Sequence, residues 1–230
     1  MILNFFGRGA AFTDEHNSAF FTDGNDLVLI DHSLPAFNRL RRMGVGNAGH
    51  IYVIVTHTHS DHIGGIPLLI HYAHYIWHIP VTIAAASEEV RGQLGFCLDK
   101  VEGCEKSAYE IVPADTLKWV QNVIPTAHTA GLAGRCFGYR LNVGGRYAVY
   151  TGDTKTLAPF LPYLADGTEF YCEAAAFDSG VHIYINDALP ALKDIAARGT
   201  KVYLMHLDDE EKILKAIAGT DISLVTVYGG

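Results

Sequence analysis

Residues 57–62 read HTHSDH. They follow IYVIV, an apolar run of the kind that makes a buried strand. They precede IGGIPLLIHYA, where two glycines give way to a helix-like apolar spacing. Three histidines and an aspartate between a strand and a helix restrict the architecture more than any other stretch of the chain. Open α/β sheets place their chemistry at such junctions, outside the carboxyl ends of strands. On extended backbone His57 and His59 point the same way, because side chains alternate with period two. Asp61 and His62 diverge unless a turn or helix start redirects them. One strip can therefore offer a pair of ligands to one metal and a second pair to another. Imidazole with carboxylate suits zinc, and also manganese or iron.

The same design recurs along the chain, an apolar strand that ends in a metal-capable residue. NVIPTAHT reaches His128, RYAVYTGDT reaches Asp153, KVYLMHLDD reaches His206 and LVLIDHS reaches Asp31. Taken singly, each is more often structural than functional. Together with the first cluster they make seven ligands, and an eighth residue for support.

β-rich runs recur as MILNFF, SAFFT, DLVLID, IYVIVTH, VTIAA, LKWVQNVI, CFGYRLNV, RYAVYTGD, EFYCE, KVYLMH and SLVTVY. Helical spacing falls near 35–43, 64–76, 87–98, 186–198 and 208–218. NVGGRYAVY reads as a hairpin, with Gly144-Gly145 supplying the positive backbone angles of a tight turn. Hairpins in one stretch and strand–helix alternation in another predict an α/β chain of two mixed sheets with helices outside. No linker, low-complexity tract or repeat interrupts residues 1–230, so one domain is expected.

The formal net charge of −8 argues against a large basic nucleic-acid surface. Cys97, Cys104, Cys136 and Cys172 lie far apart without a CxxC pair, which predicts buried thiols instead of a disulfide framework. The N-terminus has no basic segment ahead of a long apolar one, and no stretch approaches the ~20 apolar residues of a membrane span. A reducing cytoplasm is the expected setting.

In order and spacing, Asp31, His57-x-His59-x-Asp61-His62, His128, Asp153 and His206 resemble the five motifs of the metallo-β-lactamase superfamily, over essentially the whole chain. The resemblance implies an αββα sandwich with metals at one edge. It implies a first site of His57, His59 and His128, a second of Asp61, His62 and His206, and Asp153 bridging the two. Two Zn2+ ions per chain are expected, with Mn2+ or Fe2+ as alternatives, and Asp61 counts among the catalytic residues as well as the ligands. Asp31 matches a residue that supports the motif loop without binding metal. Histidine at position 59, where the oxygen-reducing di-iron branch carries glutamate, favours hydrolysis over redox chemistry.

The superfamily hosts lactamases, lactonases, thioesterases and phosphodiesterases, so the fold does not choose among them. Asp153 stands where true β-lactamases carry a non-bridging ligand, usually cysteine. The chain ends soon after His206, without room for the thioester-binding domain of glyoxalase II-like enzymes. The segment FYCEAAAFDSGVHIYINDAL resembles the ribonuclease Z-like branch, which carries a Glu-Ala pair and then a histidine opening a helix. Those residues correspond to Glu173-Ala174, His182 and Asp187-Ala188. In that branch the histidine protonates the leaving oxygen of a phosphodiester and the glutamate orients it. An alkoxide leaving group needs such a general acid, and imidazole held by a carboxylate suits the task near neutral pH. The alternative reading is a helix-capping histidine beside a surface glutamate. FFGRGAAFTDEHNSAFF likewise resembles that branch's opening strand, glycine turn and Asn-Ser second strand.

Ribonuclease Z grips tRNA with a protruding arm, and the stretch between His62 and His128 holds no basic or Gly/Pro-rich insertion to build one. With an acidic chain, extended nucleic acid is disfavoured. A small phosphodiester is the natural substrate, as for the short cyclic-nucleotide hydrolases of this branch, anti-Pycsar enzymes among them. A tRNA 3′-processing endonuclease, a lactonase-like hydrolase and a metal-bound sensor without turnover remain as alternatives. Relatives of the branch are commonly homodimers, and HYAHYIWHIP offers an apolar contact. Its His71, His74 and His78 read as a mixed aromatic–polar face in preference to a third metal site. Arg135, soon after His128, is equally a phosphate contact or a surface residue.

Overall fold

The computed structural model describes residues 1–229. Its first sheet takes six strands in chain order, β1 (Asn4–Gly7), β2 (Ser18–Asp23), β3 (Asp26–Ile30), β4 (His50–Val55), β5 (Val81–Ala85) and β6 (Tyr109–Pro113). The second takes β7 (Val120–Thr126), β8 (Cys136–Val143), β9 (Arg146–Tyr150), β10 (Glu169–Glu173), β11 (Lys201–Met205) and β12 (Ser223–Leu224), also in chain order. Each sheet begins with two antiparallel pairings and ends with three parallel ones. The two halves of the chain thus follow one plan, although the sequence shows no repeat. The expected hairpin is the β8–β9 pair, and Gly144 and Gly145 both take positive φ, 59° and 82°.

Helices α1 (Leu34–Met43), α2 (Ser60–Ile63), α3 (Ile66–Tyr72) and α4 (Glu88–Phe96) belong to the first half, and α5 (Ile185–Ala197) and α6 (Glu210–Ala216) to the second. Three begin on a side-chain cap that accepts an orphan amide of the first turn: Ser33 from Ala36, Ser87 from Val90 and Asp209 from Lys212. Both α3 and α4 run on into a five-residue wider turn, Ala73–Trp77 and Cys97–Val101.

Alternation along the strands sorts the core into two layers. Val149, Phe170, Cys172, Val202 and Leu204 face outward under Leu192, Ile195 and Ile213 of α5 and α6. Their neighbours Ala148, Tyr150, Tyr171 and Met205 face inward and join Phe5, Phe21, Ile51 and Val53 of the first sheet. Both chain ends straddle the sheets. Ahead of β1, the amides of Ile2 and Leu3 donate to the Tyr171 hydroxyl of β10, each at 3.0 Å. After β12, Val227 pairs with Phe5, and the Tyr228 amide donates to the Phe5 carbonyl at 2.8 Å. This crossing cuts the expected SLVTVY strand down to Ser223–Leu224. All four cysteines are free.

Two antiparallel steps separate β7 from β9, so β7 runs with β9, β10 and β11. Their C-terminal ends line one rim of the second sheet, as those of β3 and β4 line one rim of the first. In the turn after β3, His32 is completely buried and neither ring nitrogen has a partner. Phe6 and Phe37 pack against its ring in edge-on geometry, and burial pushes its pKa down to about 3.

Candidate metal centre

Every residue of the centre leaves a strand at that rim. After β4 the chain passes Thr56 and His57, both buried, and enters α2 at Ser60. The helix start redirects Asp61 and His62 into the space faced by His57 and His59. Close packing against the turn after β3 holds the segment there: the His32 amide donates to the His62 carbonyl at 2.6 Å and the Gly65 amide to the His32 carbonyl at 2.9 Å. Gly152 performs the equivalent service for Asp153. Its φ is +56°, and a Cβ there would stand 2.7 Å from the Phe137 carbonyl and 2.9 Å from the Thr56 Cβ. Only glycine lets β9 turn so close to β4 and deliver Asp153 beside the histidines. Asp31 and His206 also sit in the left-handed region, at φ 55° and 54°. Such backbone costs about 1–3 kcal/mol per residue and collects at functional sites.

The seven expected ligands converge from both sheets. Ligand-capable atoms of His57, His59, His128 and Asp153 lie within 4.8 Å of one another, as do those of Asp61, His62 and His206. Asp153 faces both trios with different oxygens. Its Oδ2 is 3.7 Å from His57 Nε2 and 3.6 Å from His128 Nε2. Its Oδ1 is 3.3 Å from His62 Nε2 and 3.5 Å from His206 Nε2.

Hydrogen bonds around the cluster fix which nitrogen three of the five rings present. A carboxylate can only accept, so His62 Nδ1 donates to Asp31 Oδ2 at 2.7 Å and Nε2 faces inward. Thr56 accepts on its hydroxyl from His57 Nδ1 at 3.0 Å and donates that hydroxyl's proton to Asp31 Oδ2 at 2.8 Å. The Thr56 amide donates to Asp31 Oδ1 at 2.8 Å. Asp31 therefore orients His62 directly and His57 through Thr56, and is itself steadied by Ser18, whose hydroxyl donates to its carbonyl at 2.6 Å. His128 Nδ1 donates to the Val181 carbonyl at 2.9 Å. Partners of this kind set the tautomer and basicity of metal-binding imidazoles.

Burial lowers the pKa of His57, His59 and His128, leaving neutral rings with lone pairs to offer. For His62 and His206 burial is outweighed by the Asp153 charge, which raises both. Burial likewise loses to histidine contacts at Asp61, held ionised by His206 and His62 and well below the usual carboxylate range. The donor set fits divalent cations on a direct observation: His62 Nε2 and Asp153 Oδ1 are buried, lie 3.3 Å apart and have no hydrogen-bond partner. A buried imidazole nitrogen and a buried carboxylate oxygen left without hydrogen bonds and facing one space are costly, and a cation there would satisfy both once the ring gives up its Nε2 proton.

His182 borders the cluster. One of its ring nitrogens lies within 4.8 Å of ligand atoms of Asp153 and His206. Its Nδ1 is 2.6 Å from Oε2 of Glu173, a fully buried side chain whose Oε1 accepts the Thr154 amide. The glutamate is thus no surface residue, and the histidine precedes the first turn of α5 instead of capping it. Burial and the Asp153 charge push the Glu173 pKa up. The loop between them is pinned by Asp208, which accepts the Ala176 amide at 2.7 Å, and by the Ser179 hydroxyl, which accepts the His182 amide at 3.3 Å.

Other tempting residues lie elsewhere. His71 contacts Cys104, His74 contacts Glu105 and His78 contacts the His74 carbonyl, and these three histidines form no ligand group among the described residues. Arg135 is held by Glu89 and the Gly131 carbonyl. Thr56, Asp208 and the Val181 carbonyl are supports that the sequence did not single out. For Thr56 the one available signal was a hydroxyl next to each histidine in THTH, which does not say which hydroxyl matters.

The chain has the metallo-β-lactamase fold. It superposes on the metallo-β-lactamase fold protein YhfI from Bacillus subtilis with a TM-score of 0.75 at 17% identity, covering 96% of this chain and 95% of that one. For a diphosphatase of the PhnP family the values are 0.70 and 18%, covering 98% and 94%. For the short form of human tRNase Z they are 0.67 and 16%, covering 99% and 97%. Among curated relatives, the anti-Pycsar protein Apyc1 of Saccharibacillus brassicae is 37% identical over 68 residues, 29% of this chain and only 28% of that protein's length. The anti-Pycsar protein Apyc1 of Paenibacillus xerothermodurans is 25% identical over 236 residues, 90% of this chain and 88% of that protein. The family model for anti-Pycsar protein Apyc1 matches residues 1–226, and the chain belongs to that family.

Proposed function

We propose that this metal-dependent hydrolase works with two divalent cations, zinc first and manganese or iron as alternatives, and opens small phosphodiesters, above all cyclic mononucleotides. The observation that carries the reading is the Glu173–His182 pair, which engages Nδ1 at 2.6 Å and sets the ring beside the ligand cluster. Hydrolysis of an activated ester would not need that extra acid; expulsion of an alkoxide does.

His57, His59 and His128 would hold one cation, Asp61, His62 and His206 the other, and Asp153 both. Bound there, the cations would activate water and neutralise the phosphate. His182 Nε2 would then protonate the leaving oxygen as its bond to phosphorus breaks. Glu173 would hold the ring in place; burial and then the Asp153 charge raise its pKa, and cationic charge beside Asp153 would offset the second of these. Asp61, ionised and half-turned into the centre, would accept a hydrogen bond from the attacking water.

The family's name and the acidic chain both favour a signalling nucleotide over RNA. We further place the protein in the cytoplasm, where free thiols persist, as a single domain that pairs through the 71–80 segment, where Tyr75 and Ile76 are exposed. No helix among the described residues is long and apolar enough to cross a membrane.

The test is incubation of metal-loaded protein with 2′,3′- and 3′,5′-cyclic mononucleotides, cyclic dinucleotides and precursor tRNA, alongside elemental analysis. The expected result is cleavage of a cyclic mononucleotide, about two metal ions per chain and loss of activity on chelation. Protein that takes up no metal, or cleaves only tRNA, would overturn the reading.

A further inference from the structure

Adjoining His182 is a cleft of about 420 Å³, which the same histidine lines. It lies between the segment after Asp153, Lys155 to Leu161, and the loop and first turns of α5 that carry Asp178, Tyr184 and Asp187. Its volume falls in the range of small-molecule sites. Leu157, Leu161, Ile183 and Ala188 give it apolar walls, and Tyr184 adds an aromatic ring. Leu161 is 48% exposed. The lining carries two carboxylates, Asp178 and Asp187, against one ammonium, Lys155.

A general acid must come within about 2.6–3.2 Å of the oxygen it protonates. Whatever is attached to that oxygen then lies within a few bonds of His182, on its side of the cations. His182 stands between the ligand cluster and this cleft, with Nδ1 already occupied by Glu173. We propose that the cleft seats the nucleoside carrying the leaving oxygen, and that its carboxylates restrict the enzyme to leaving groups without a second phosphate.

The proposal rests on the phosphodiesterase reading above. Flat, largely apolar and uncharged, a nucleobase suits walls of leucine, isoleucine and tyrosine with polar groups at the margin. The reacting phosphate is neutralised at the centre, but a further phosphate in the cleft would meet two carboxylates with a single lysine to offset them. A cyclic mononucleotide avoids that encounter, whereas a cyclic dinucleotide or an RNA chain does not.

Ala158 lines the cleft from an exposed position, so Ala158→Trp narrows it without disturbing the core. With metal-loaded protein, KM for a 3′,5′-cyclic mononucleotide should rise by about tenfold or more, while kcat/KM for bis-p-nitrophenyl phosphate falls by a smaller factor. Asp187→Lys should improve the kcat/KM ratio of cyclic dinucleotide to cyclic mononucleotide. A binding readout needs no turnover: saturation-transfer NMR with free cytidine should transfer magnetisation from leucine and isoleucine methyls to the base protons, and Ala158→Trp should abolish it. Equal effects on both substrates, an unchanged KM, or no transfer to the base would each overturn the cleft assignment. A wild-type enzyme that ignores cyclic nucleotides but still shows base transfer lost in Ala158→Trp would overturn the reaction and leave the cleft standing.

Discussion

His182 and Thr56 both adjoin the candidate centre, and their loss should have different signatures. If His182 supplies the proton, His182→Ala keeps metal content and fold while kcat on a cyclic nucleotide falls by roughly 10²–10⁴-fold. The deficit should shrink for bis-p-nitrophenyl phosphate, whose leaving group departs without a proton. Glu173→Gln should give a weaker version of that pattern; equal losses on both substrates would assign His182 a structural role. Thr56 touches no reacting atom, yet it relays Asp31 to His57 through a 2.8 Å and a 3.0 Å hydrogen bond. Thr56→Val removes the relay at nearly constant volume and should weaken metal affinity by about 10–100-fold. Competition with a chromogenic chelator measures it, and unaltered affinity would show the relay to be idle. The histidines and aspartates themselves were legible because residue type and spacing announce them. Thr56 and the Val181 carbonyl were not, because a hydroxyl or a backbone oxygen gains its role only when a distant turn arrives beside it.

The turns decide as much as the strands do. Gly152→Ala forces a Cβ toward the Phe137 carbonyl and Thr56 while the backbone stays at positive φ. A loss of about 1–3 kcal/mol is expected from the strained conformation alone, together with reduced metal uptake, since Asp153 follows directly. Chemical denaturation and elemental analysis of the same sample test both; a variant with wild-type values would mean that β9 can deliver Asp153 by another route. The turn after β3 carries a different liability. His32 has a folded pKa of about 3, below the ordinary value of roughly 6.5. Above pH 6.5 the ring is neutral in both states and contributes nothing. Between pH 6.5 and 3 the unfolded chain binds a proton that the folded chain refuses, and stability falls by about 1.4 kcal/mol per pH unit. His32→Leu should therefore narrow the gap between Tm at pH 7.5 and pH 5, and an unchanged gap would put the acid sensitivity elsewhere. Most elements could be read from apolar period, but β6 could not. Its residues are half-exposed at the sheet edge, so burial never imposed an alternation on Tyr109–Pro113. SLVTVY failed for the opposite reason, since its apolar residues are shared between two sheets.

At the scale of the whole molecule, the proposed pairing predicts a particle of twice the 25.1 kDa chain mass at micromolar concentration. A monomer by light scattering would count directly against it, and Ile76→Glu should shift the equilibrium toward single chains by placing charge in an apolar contact. The shared plan of the two sheets was hidden from sequence, because strand direction leaves no trace in composition. The candidate centre draws His57, His59, Asp61 and His62 from the first sheet and His128, Asp153 and His206 from the second. An ion held between them is therefore a rivet across the seam of the sandwich, and any ion that binds only the folded chain adds to its stability by mass action. Stripped of metal, the protein should keep its core but open first along that rim, exposing the Gly152 and Ala175–Val181 turns to a protease. Ion supply would then govern how long each molecule survives in the cell as well as how fast it works.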